Sequence, residues 1–224
     1  MPKKHLKRLV APRTWNILRK TTKYVARPLP GKHSFYYSMS LSEIIKLLGF
    51  AATKREIVDL LKTNELFVDG KKTRELKYNV GLMDTFSIPA QKLFYRVSLS
   101  EKGQLAFIPI PEKEVNLKVC RIEQKRLIKG KKIQLSLHDG RNIPAKDNSY
   151  KVGDSVVIDL TNNEIKEHVK FAPKTTMLLI GGSKMGKIGV LKTIEPNKLT
   201  YELDKEEHST IKKNVFCIGS IKVK

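Results

Sequence analysis

The stretch on which the fold turns runs from Ser40 to Pro89, centred on LGFAATKREIVDLLKTNELFVDGKKT, Leu48 to Thr73. It predicts two short helices meeting near Gly49, then a tight strand pair turning at Asp69-Gly70. Ser40 with Glu43, and Thr53 with Glu56, have capping-box spacing, in which a hydroxyl and a carboxylate satisfy backbone N–H groups at a helix start. Leu41, Ile44, Ile45 and Leu48, then Ile57, Leu60 and Leu61, recur at helical spacing and give each helix one core face. Lys54 and Arg55 fall in the first turn of the second helix, where the dipole disfavours cations and free N–H groups favour an anion. A basic pair there predicts a phosphate-bearing partner, and an RNA backbone fits.

The whole composition points the same way. In 224 residues, 44 lysines and arginines stand against 22 aspartates and glutamates, a net charge of +22. Such a field repels itself and gathers polyanions, so nucleic acid is the expected partner. A chain of this length holds two or three small domains or one large one. An anionic membrane surface would require a basic amphipathic helix or a lipidation signal, and the sequence offers neither. No apolar run approaches the roughly 20 residues of a membrane span, and MPKKHLKRLVAPRTW lacks the apolar segment of a signal peptide. Cys120 and Cys217 form no C-x-x-C pair and are expected as buried, reduced thiols. His5, His33, His138, His168 and His208 show no ligand spacing, so no metal is expected.

Residues 1–38 carry Lys3, Lys4, Lys7, Arg8, Arg13, Arg19, Lys20, Lys23, Arg27 and Lys32, and no acidic residue precedes Glu43. Pro2, Pro12, Pro28 and Pro30 exclude one continuous helix, although Thr14 to Lys20 could form a short one. Leu9, Val10, Trp15, Ile17 and Leu18 are the apolar anchors. A large aromatic has little use in a solvated tail. The expectation is therefore an extension that orders on RNA, with basic side chains on phosphates and a few apolar groups docked on the protein.

Beyond the opening module, YNVGLMDTFSIP (Tyr78 to Pro89) predicts a glycine-kinked turn into a strand with Phe86 and Ile88 on one face. LFYRVSLSEKGQLAFIPI (Leu93 to Ile110) alternates as two strands around Glu101-Lys102-Gly103. Short strands such as Lys132–Leu137 and Ser155–Asp159 are separated by the turn dipeptides Lys129-Gly130, Asp139-Gly140 and Asn162-Asn163. No helix is placed after residue 65, and closely spaced short strands predict small barrels rather than a parallel sheet. A further unit starts near Pro173, with Met177 to Ile180 as a strand, and closes with the strand-like Val215 to Val223.

Three sets of residues invite chemistry. GGSKMGK (Gly181 to Lys187) matches part of a phosphate-cradling nucleotide loop, but Ile188 replaces the magnesium-binding Ser or Thr and strand rather than helix follows. Its glycines fit turn and bulge positions, with Lys184 and Lys187 as phosphate contacts. Asp139, Asp147, Asp154 and Asp159 fit turn-forming roles better than acid–base or metal chemistry. No hydrolase signature accompanies them. Lys54, Arg55, Lys71, Lys72 and Arg74 form the focused basic patch, whereas Lys62 and Lys77 suit an ordinary solvated surface. Phosphate contacts of this kind set affinity and register.

Leu48 to Thr73 resembles the RNA-binding module named after bacterial ribosomal protein S4. Leu48-Gly49-Phe50-Ala51, Thr53-Lys54-Arg55 and Val68-Asp69-Gly70 carry the likeness. Ser40 stands where that module often begins with arginine, and Asn64 where glycine usually precedes the strand. Pseudouridine synthases, tyrosyl-tRNA synthetases and heat-shock RNA-binding proteins also use the module. The flanks narrow the choice. MPKKHLKRLVAPRTW, RPLPGKH (Arg27 to His33), GLMDTFSI (Gly81 to Ile88), IGGSKMGKIGVL (Ile180 to Leu191) and NVFCIGSIK (Asn214 to Lys222) together resemble the eukaryotic and archaeal small-subunit ribosomal protein family S4e, in order and along essentially the whole chain.

The resemblance implies an α+β, multi-module fold. A basic extension (1–38) would precede a helical-hairpin S4-type RNA-binding module (39–92), a central β-rich domain (93–172) and a KOW-type, SH3-like β-barrel (173–224). It implies a structural constituent of the small (40S) subunit that binds small-subunit rRNA and neighbouring ribosomal proteins, without enzymatic activity, cofactor, membrane or homo-oligomer. Its place would be the cytosolic ribosome, with nucleolar passage during assembly in a eukaryote. Eukaryotic relatives continue into a basic tail where this chain reaches Lys224, so that contribution is expected to be absent or replaced. The expected RNA contacts are Lys3, Lys4, Lys7, Arg8, Arg13, Trp15, Arg19, Arg27, Lys32, Lys54, Arg55, Lys71, Lys72, Arg74, Lys184 and Lys187. The alternative is a free-standing RNA-binding regulator, or an RNA-modifying enzyme built on the same S4-type module.

Overall fold

A computed structural model describes residues 5–63, 65–128, 130, 132–145, 148–195, 198–204 and 206–219. The chain divides into two compact units, Met1–Ser98 with Gln104–Asn116, and Leu99–Gly103 with Leu117–Lys224. Among the described residues the architecture is mostly β, in several antiparallel sheets, with two short α-helices.

In the first unit, β1 (Leu6–Lys7) pairs with β2 (Tyr24–Val25), and β3 (Ser38–Ser40) leads into α1 (Leu41–Leu47). After a reversal at Gly49, where φ is +77°, the chain forms α2 (Lys54–Thr63). β4 (Phe67–Val68) and β5 (Lys71–Lys72) follow as a hairpin. Asp69 and Gly70 hold its two turn positions at φ +50° and +71°, as the twist of a two-residue hairpin demands. β6 (Asn79–Gly81) pairs with β3, while β7 (Thr85–Ile88), β8 (Leu93–Leu99) and β9 (Leu105–Pro109) extend the hairpin into a sheet of order β5-β4-β7-β8-β9. Leu41, Ile44, Ile45, Ile57 and Leu61 are buried with Val68, Phe86 and Ile88, so the helical spacing marked the core face. Leu48 and Leu60 sit half-buried at its margin.

Only the second capping box forms. The Glu56 N–H donates to Thr53 Oγ1 (3.3 Å), and the Glu56 carboxylate accepts from the N–H groups of Ala52 (2.9 Å) and Thr53 (3.3 Å). At α1 the Ser40 hydroxyl instead donates to the Ala26 carbonyl at 3.1 Å. The first N–H groups of α1 are already taken there, Leu41 by the Tyr78 carbonyl (3.0 Å) and Ser42 by that of Leu76 (2.9 Å).

The N-terminal arm is anchored differently from expectation. Leu6, Ala11, Trp15 and Val25 are buried, Ile17 is half-buried, and Leu9, Val10 and Leu18 are exposed. Trp15 Nε1 donates to the Ser38 carbonyl at 2.8 Å and its ring stands 5.6 Å from that of Phe35. Thr14 to Lys20 forms turns rather than a helix. The Thr14 carbonyl there accepts a bond from the Leu105 N–H (2.7 Å), a strand-like partner that a helix would have denied it.

At the arm's end, the Lys32 ammonium lies 2.6 Å from the Asp69 carboxylate and 3.6 Å from that of Asp84. Asp84 also holds His33 Nε2 at 2.8 Å and accepts the Gly81 N–H at 3.0 Å. Asp69 accepts the Thr85 N–H at 3.0 Å, and both carboxylates are wholly buried. Two buried carboxylates would be costly without a cation, and Lys32 supplies it.

The second unit is built on β10 (Leu117–Ile128), twelve residues long. It pairs over Leu117 to Arg121 with β13 (Ser155–Asp159) and from Ile122 onward with β11 (Lys132–Leu137), bending at an irregularity by Glu123. β12 (Asn142–Ala145) and β14 (Ile165–Val169) complete a half-barrel sheet of order β12-β11-β10-β13-β14. Cys120, Ile122, Leu135, Leu137, Ile143, Val156 and Ile158 fill its concave side. A second sheet, of order β18-β17-β16-β15-β19, comprises β15 (Thr176–Leu179), β16 (Ile188–Ile194), β17 (Leu199–Leu203), β18 (Glu206–Thr210) and β19 (Val215–Cys217). It encloses Met177, Leu179, Leu191, Leu199, Tyr201 and Val215. The end of the predicted Val215 to Val223 strand lies outside the described residues. Both cysteines are buried free thiols, and burial first, then the Asp154 charge, pushes the Cys217 thiol up to about 12.

The Asp139 carboxylate, wholly buried at the β11–β12 turn, meets Lys118 Nζ (3.1 Å), Arg141 Nε (3.2 Å) and the Arg141 N–H (3.1 Å). Burial alone would raise its pKa, but Lys118, then His138 and the Arg141 N–H, outweigh that and hold it below the usual carboxylate range. Asp159 accepts the Thr161 N–H at 2.9 Å across its own turn, so both aspartates serve turns as the sequence suggested, while Asp147 lies outside the described residues.

Two consequences can be measured. Lys32→Met removes the cation shared by two buried carboxylates and lowers stability by roughly 3 kcal/mol, read from the midpoint of urea unfolding. Because the folded pKa of Asp139 is depressed, its contribution is complete above the ordinary value of 3.8 and fades as pH falls below it. Asp139→Asn, which removes the carboxylate beside the buried Lys118, costs about 3 kcal/mol at neutral pH and makes the acid decline in melting temperature shallower.

Candidate nucleic-acid interface

Exposed cations are carried on the arm, on α2 and on the hairpin of the first unit. Lys54 and Arg55 occupy the first turn of α2, both exposed, and among the described residues neither forms an ion pair. The anion position at that helix start is itself occupied. Glu56 takes the N–H groups of Ala52 and Thr53, and those bonds, with the one to the Thr53 side chain, hold its carboxyl below the ordinary range. A phosphate would therefore meet the Lys54 and Arg55 side chains, not the free backbone donors expected from the sequence.

Lys71 and Arg74 on and after β5 are exposed. Lys72 pairs with Glu65, whose carboxyl is lowered by that bond, and so offers a shared rather than a whole charge. The VDG turn has a second duty, since its Asp69 fastens the hairpin to Lys32 and to Thr85.

Within the arm, Lys7, Arg13 and Arg27 are exposed, with the Arg27 guanidinium 6.0 Å from the Phe35 ring centroid. Arg8 and Arg19 staple the arm to itself. The Arg8 guanidinium donates to the Leu18 carbonyl and to Thr22 Oγ1 (3.1 Å). Arg19 donates to the carbonyls of Leu9 (3.3 Å), Ala11 (2.9 Å) and Pro12 (3.0 Å). Their partners are neutral, so both keep their charge. Lys3 and Lys4 lie outside the described residues.

Two expected RNA contacts prove to be internal. Trp15 is only 1% exposed and cannot stack on a base; its rings and N–H are engaged within the protein. Lys32 is held by two aspartates and serves folding.

In the second unit, the loop Gly181 to Lys187 is followed directly by strand β16, so no nucleotide-binding helix exists there. Gly186 sits at φ +85°, and a Cβ on it would stand 1.7 Å from the Ser100 carbonyl oxygen, a close backbone approach that only glycine permits. Lys184 and Lys187 on this loop are half-buried, and Lys187 Nζ stands 3.6 Å from the Asp204 carboxylate. Among the described residues no cluster of His, Cys, Asp or Glu could hold a metal ion, and no helix is long and apolar enough to cross a membrane.

Sequence reasoning missed Arg121, Lys212 and Lys213, which line one cavity of the second unit. Arg121 is a lone basic residue in an alternating strand and carries no local signal; the Lys212-Lys213 pair was visible but undistinguished in so basic a chain.

Comparison with known proteins gives this geometry a family. The profile described as Ribosomal family S4e matches residues 91–165, and that of the RS4NT (NUC023) domain matches residues 1–35. Small ribosomal subunit protein eS4 of Methanocella arvoryzae is 38% identical over 222 residues, covering 96% of this chain and 94% of that protein. The protein of the same name from Methanocaldococcus jannaschii is 38% identical over 233 residues, covering 97% and 95%. The crystal structure of 30S ribosomal protein S4e from Thermoplasma acidophilum matches with a TM-score of 0.71 at 32% identity, covering 82% of this chain and 96% of that one. The chain belongs to the eS4 (S4e) family of small-subunit ribosomal proteins.

Proposed function

We infer that this protein is a structural, non-enzymatic constituent of the small ribosomal subunit that binds and stabilises small-subunit rRNA. The observation that carries the RNA contact is the set of exposed cations on ordered elements of the first unit, Lys54 and Arg55 on α2 above all. The mechanism is passive. Lysines and arginines neutralise phosphates so that RNA segments pack closely, and rigid small modules fix where those charges stand. Neighbouring small-subunit proteins are the other partners, and the cytosolic ribosome is the site of action.

A finer architecture accompanies this reading. Residues 39–92 act as an S4-type RNA-binding module, supported by the two helices, the formed Thr53–Glu56 box and the Asp69-Gly70 hairpin. Residues 173–224 act as a KOW-type, SH3-like barrel, supported by the five-stranded antiparallel sheet around Met177, Leu191 and Val215. Residues 1–38 form a docked basic extension, and the central β-rich domain expected over 93–172 is supported by the β10–β14 sheet, while its first strands β8 and β9 pair within the sheet of the first unit. RNA contacts are then Lys7, Arg8, Arg13, Arg19, Arg27, Lys54, Arg55, Lys71, Lys72, Arg74, Lys184 and Lys187.

Sedimentation of cell extract on a sucrose gradient tests the assignment, with the protein expected in the small-subunit, whole-ribosome and polysome peaks; confinement to lighter fractions would overturn it. Purified protein should lose about 10³-fold in affinity for a small-subunit rRNA fragment between roughly 50 and 200 mM salt. Binding that ignores salt would refute phosphate neutralisation. The double variant Lys54→Ala/Arg55→Ala should keep its stability within about 0.5 kcal/mol and enter subunits with modestly reduced efficiency. Complete exclusion of that variant, normally folded, would mean that the pair is a self-sufficient site.

A further inference from the structure

A cavity of about 530 Å³ opens in the second unit beside the bend of β10. Its walls are residues 121–124 of that strand, Val152-Gly153 of the preceding loop to β13, and Lys212-Lys213. None of its cations belongs to the basic patch already described.

The cations here are held in place chiefly by backbone carbonyls, and among the described residues Arg121 alone shares its charge with a carboxylate. Arg121 Nη1 donates to the carbonyls of Lys213 (3.0 Å) and Val215 (3.1 Å), and its other arm pairs with Glu123 at 3.2 Å. Lys212 Nζ donates to the Val152 carbonyl at 2.7 Å and lies 5.2 Å from the Phe171 ring centroid. Lys213 is exposed. Among the described residues of the lining Glu123 is the one carboxylate, against Arg121, Lys212 and Lys213. Part of the wall is apolar. Val152 is 47% exposed, and the Lys212 stem crosses Gly153 so closely that a Cβ there would stand 2.4 Å from Lys212 Cε.

A bare phosphate has no use for an apolar wall, and a carboxylate side chain would leave most of this volume empty. A volume of this size falls within the usual range for a small-molecule site, large enough for one nucleotide. We propose that the cavity receives a single unpaired RNA nucleotide, its base against Val152 and the Lys212 stem and its phosphate on Arg121 and Lys213. Single-stranded segments are where proteins engage RNA bases splayed from the stack. This rests on the rRNA-binding reading and adds to it a base-contacting site outside the S4-type module.

The test uses the full chain, isotope-labelled for amide NMR, with two probes: a short oligouridylate and the same oligomer with a central abasic residue. The intact oligomer should shift the amides of Val152, Gly153 and Lys213 and bind about fivefold more tightly than the abasic one, a difference of the order expected from one base contact. Val152→Asp should weaken oligouridylate by about tenfold through carboxylate repulsion, and Lys213→Ala by about threefold, with unchanged urea midpoints. Lys213→Ala keeps the carbonyl that orients Arg121, so it remains informative if the aspartate variant fails to fold. Equal binding of intact and abasic probes, shifts elsewhere, or stronger binding of oligoglutamate would overturn the proposal. Wild-type and Val152→Asp proteins that bind an rRNA fragment alike while ignoring oligouridylate would remove this site alone; failure of every RNA to bind would remove the underlying reading.

Discussion

The first unit depends on closing the charge of two carboxylates that have left water. Asp69 and Asp84 are wholly buried, and the Lys32 ammonium stands 2.6 and 3.6 Å from them. An isolated buried carboxylate is prohibitively costly, so neither turn could exist as it does without a cation delivered from elsewhere in the chain. The arm delivers it. Because Asp69 also holds the Thr85 N–H and Asp84 that of Gly81, one cation joins the arm, the hairpin and the β6–β7 turn. Specificity in this unit comes from the polar closure, while Leu41, Ile44, Ile57 and Phe86 supply the apolar bulk.

The second unit repeats the device with Lys118, Arg141 and Asp139, and with Asp154, which holds His168 at 2.8 Å and the N–H groups of Lys151 and Phe171 at 2.9 Å. A chain of net charge +22 has few acidic groups, and four of its aspartates are turned inward to organise turns. Cations are buried with them, Lys118 and Arg96 wholly and Lys32 in large part, so the exchange changes the net charge of the outside little. Folding thus uses both signs of charge, and the cations it takes, Lys32 and Lys118, are withdrawn from any contact with phosphate.

Local features were legible. α1, α2, the Asp69-Gly70 turn and the strands Lys132–Leu137 and Ser155–Asp159 stand where spacing and turn dipeptides placed them, because each is decided by neighbours within a few residues. What escaped depends on distant partners. Ser40 has capping-box spacing, yet its hydroxyl turns to the Ala26 carbonyl, and the carbonyls of Tyr78 and Leu76 take the first two N–H groups of the helix. Lys32 reads as one more cation of a basic arm until Asp69, 37 residues on, comes beside it. An isolated tryptophan among lysines signals burial without saying in what, and for Trp15 the answer is its own protein. The same arm shows that apolar character alone does not pick an anchor, since Leu9 and Leu18 are exposed while the smaller Ala11 is buried.

The arm's two arginine staples bear on the thermodynamics of its encounter with a polyanion. A free arginine carries about 2 kcal/mol of rotamer entropy that must be surrendered when it grips a phosphate. Arg19, bound to the carbonyls of Leu9, Ala11 and Pro12, has surrendered most of it during folding. Carbonyl partners carry no net charge, so its electrostatic pull persists. In the proposed RNA contact such an arm would present a preorganised surface, its entropic cost met during folding rather than on binding.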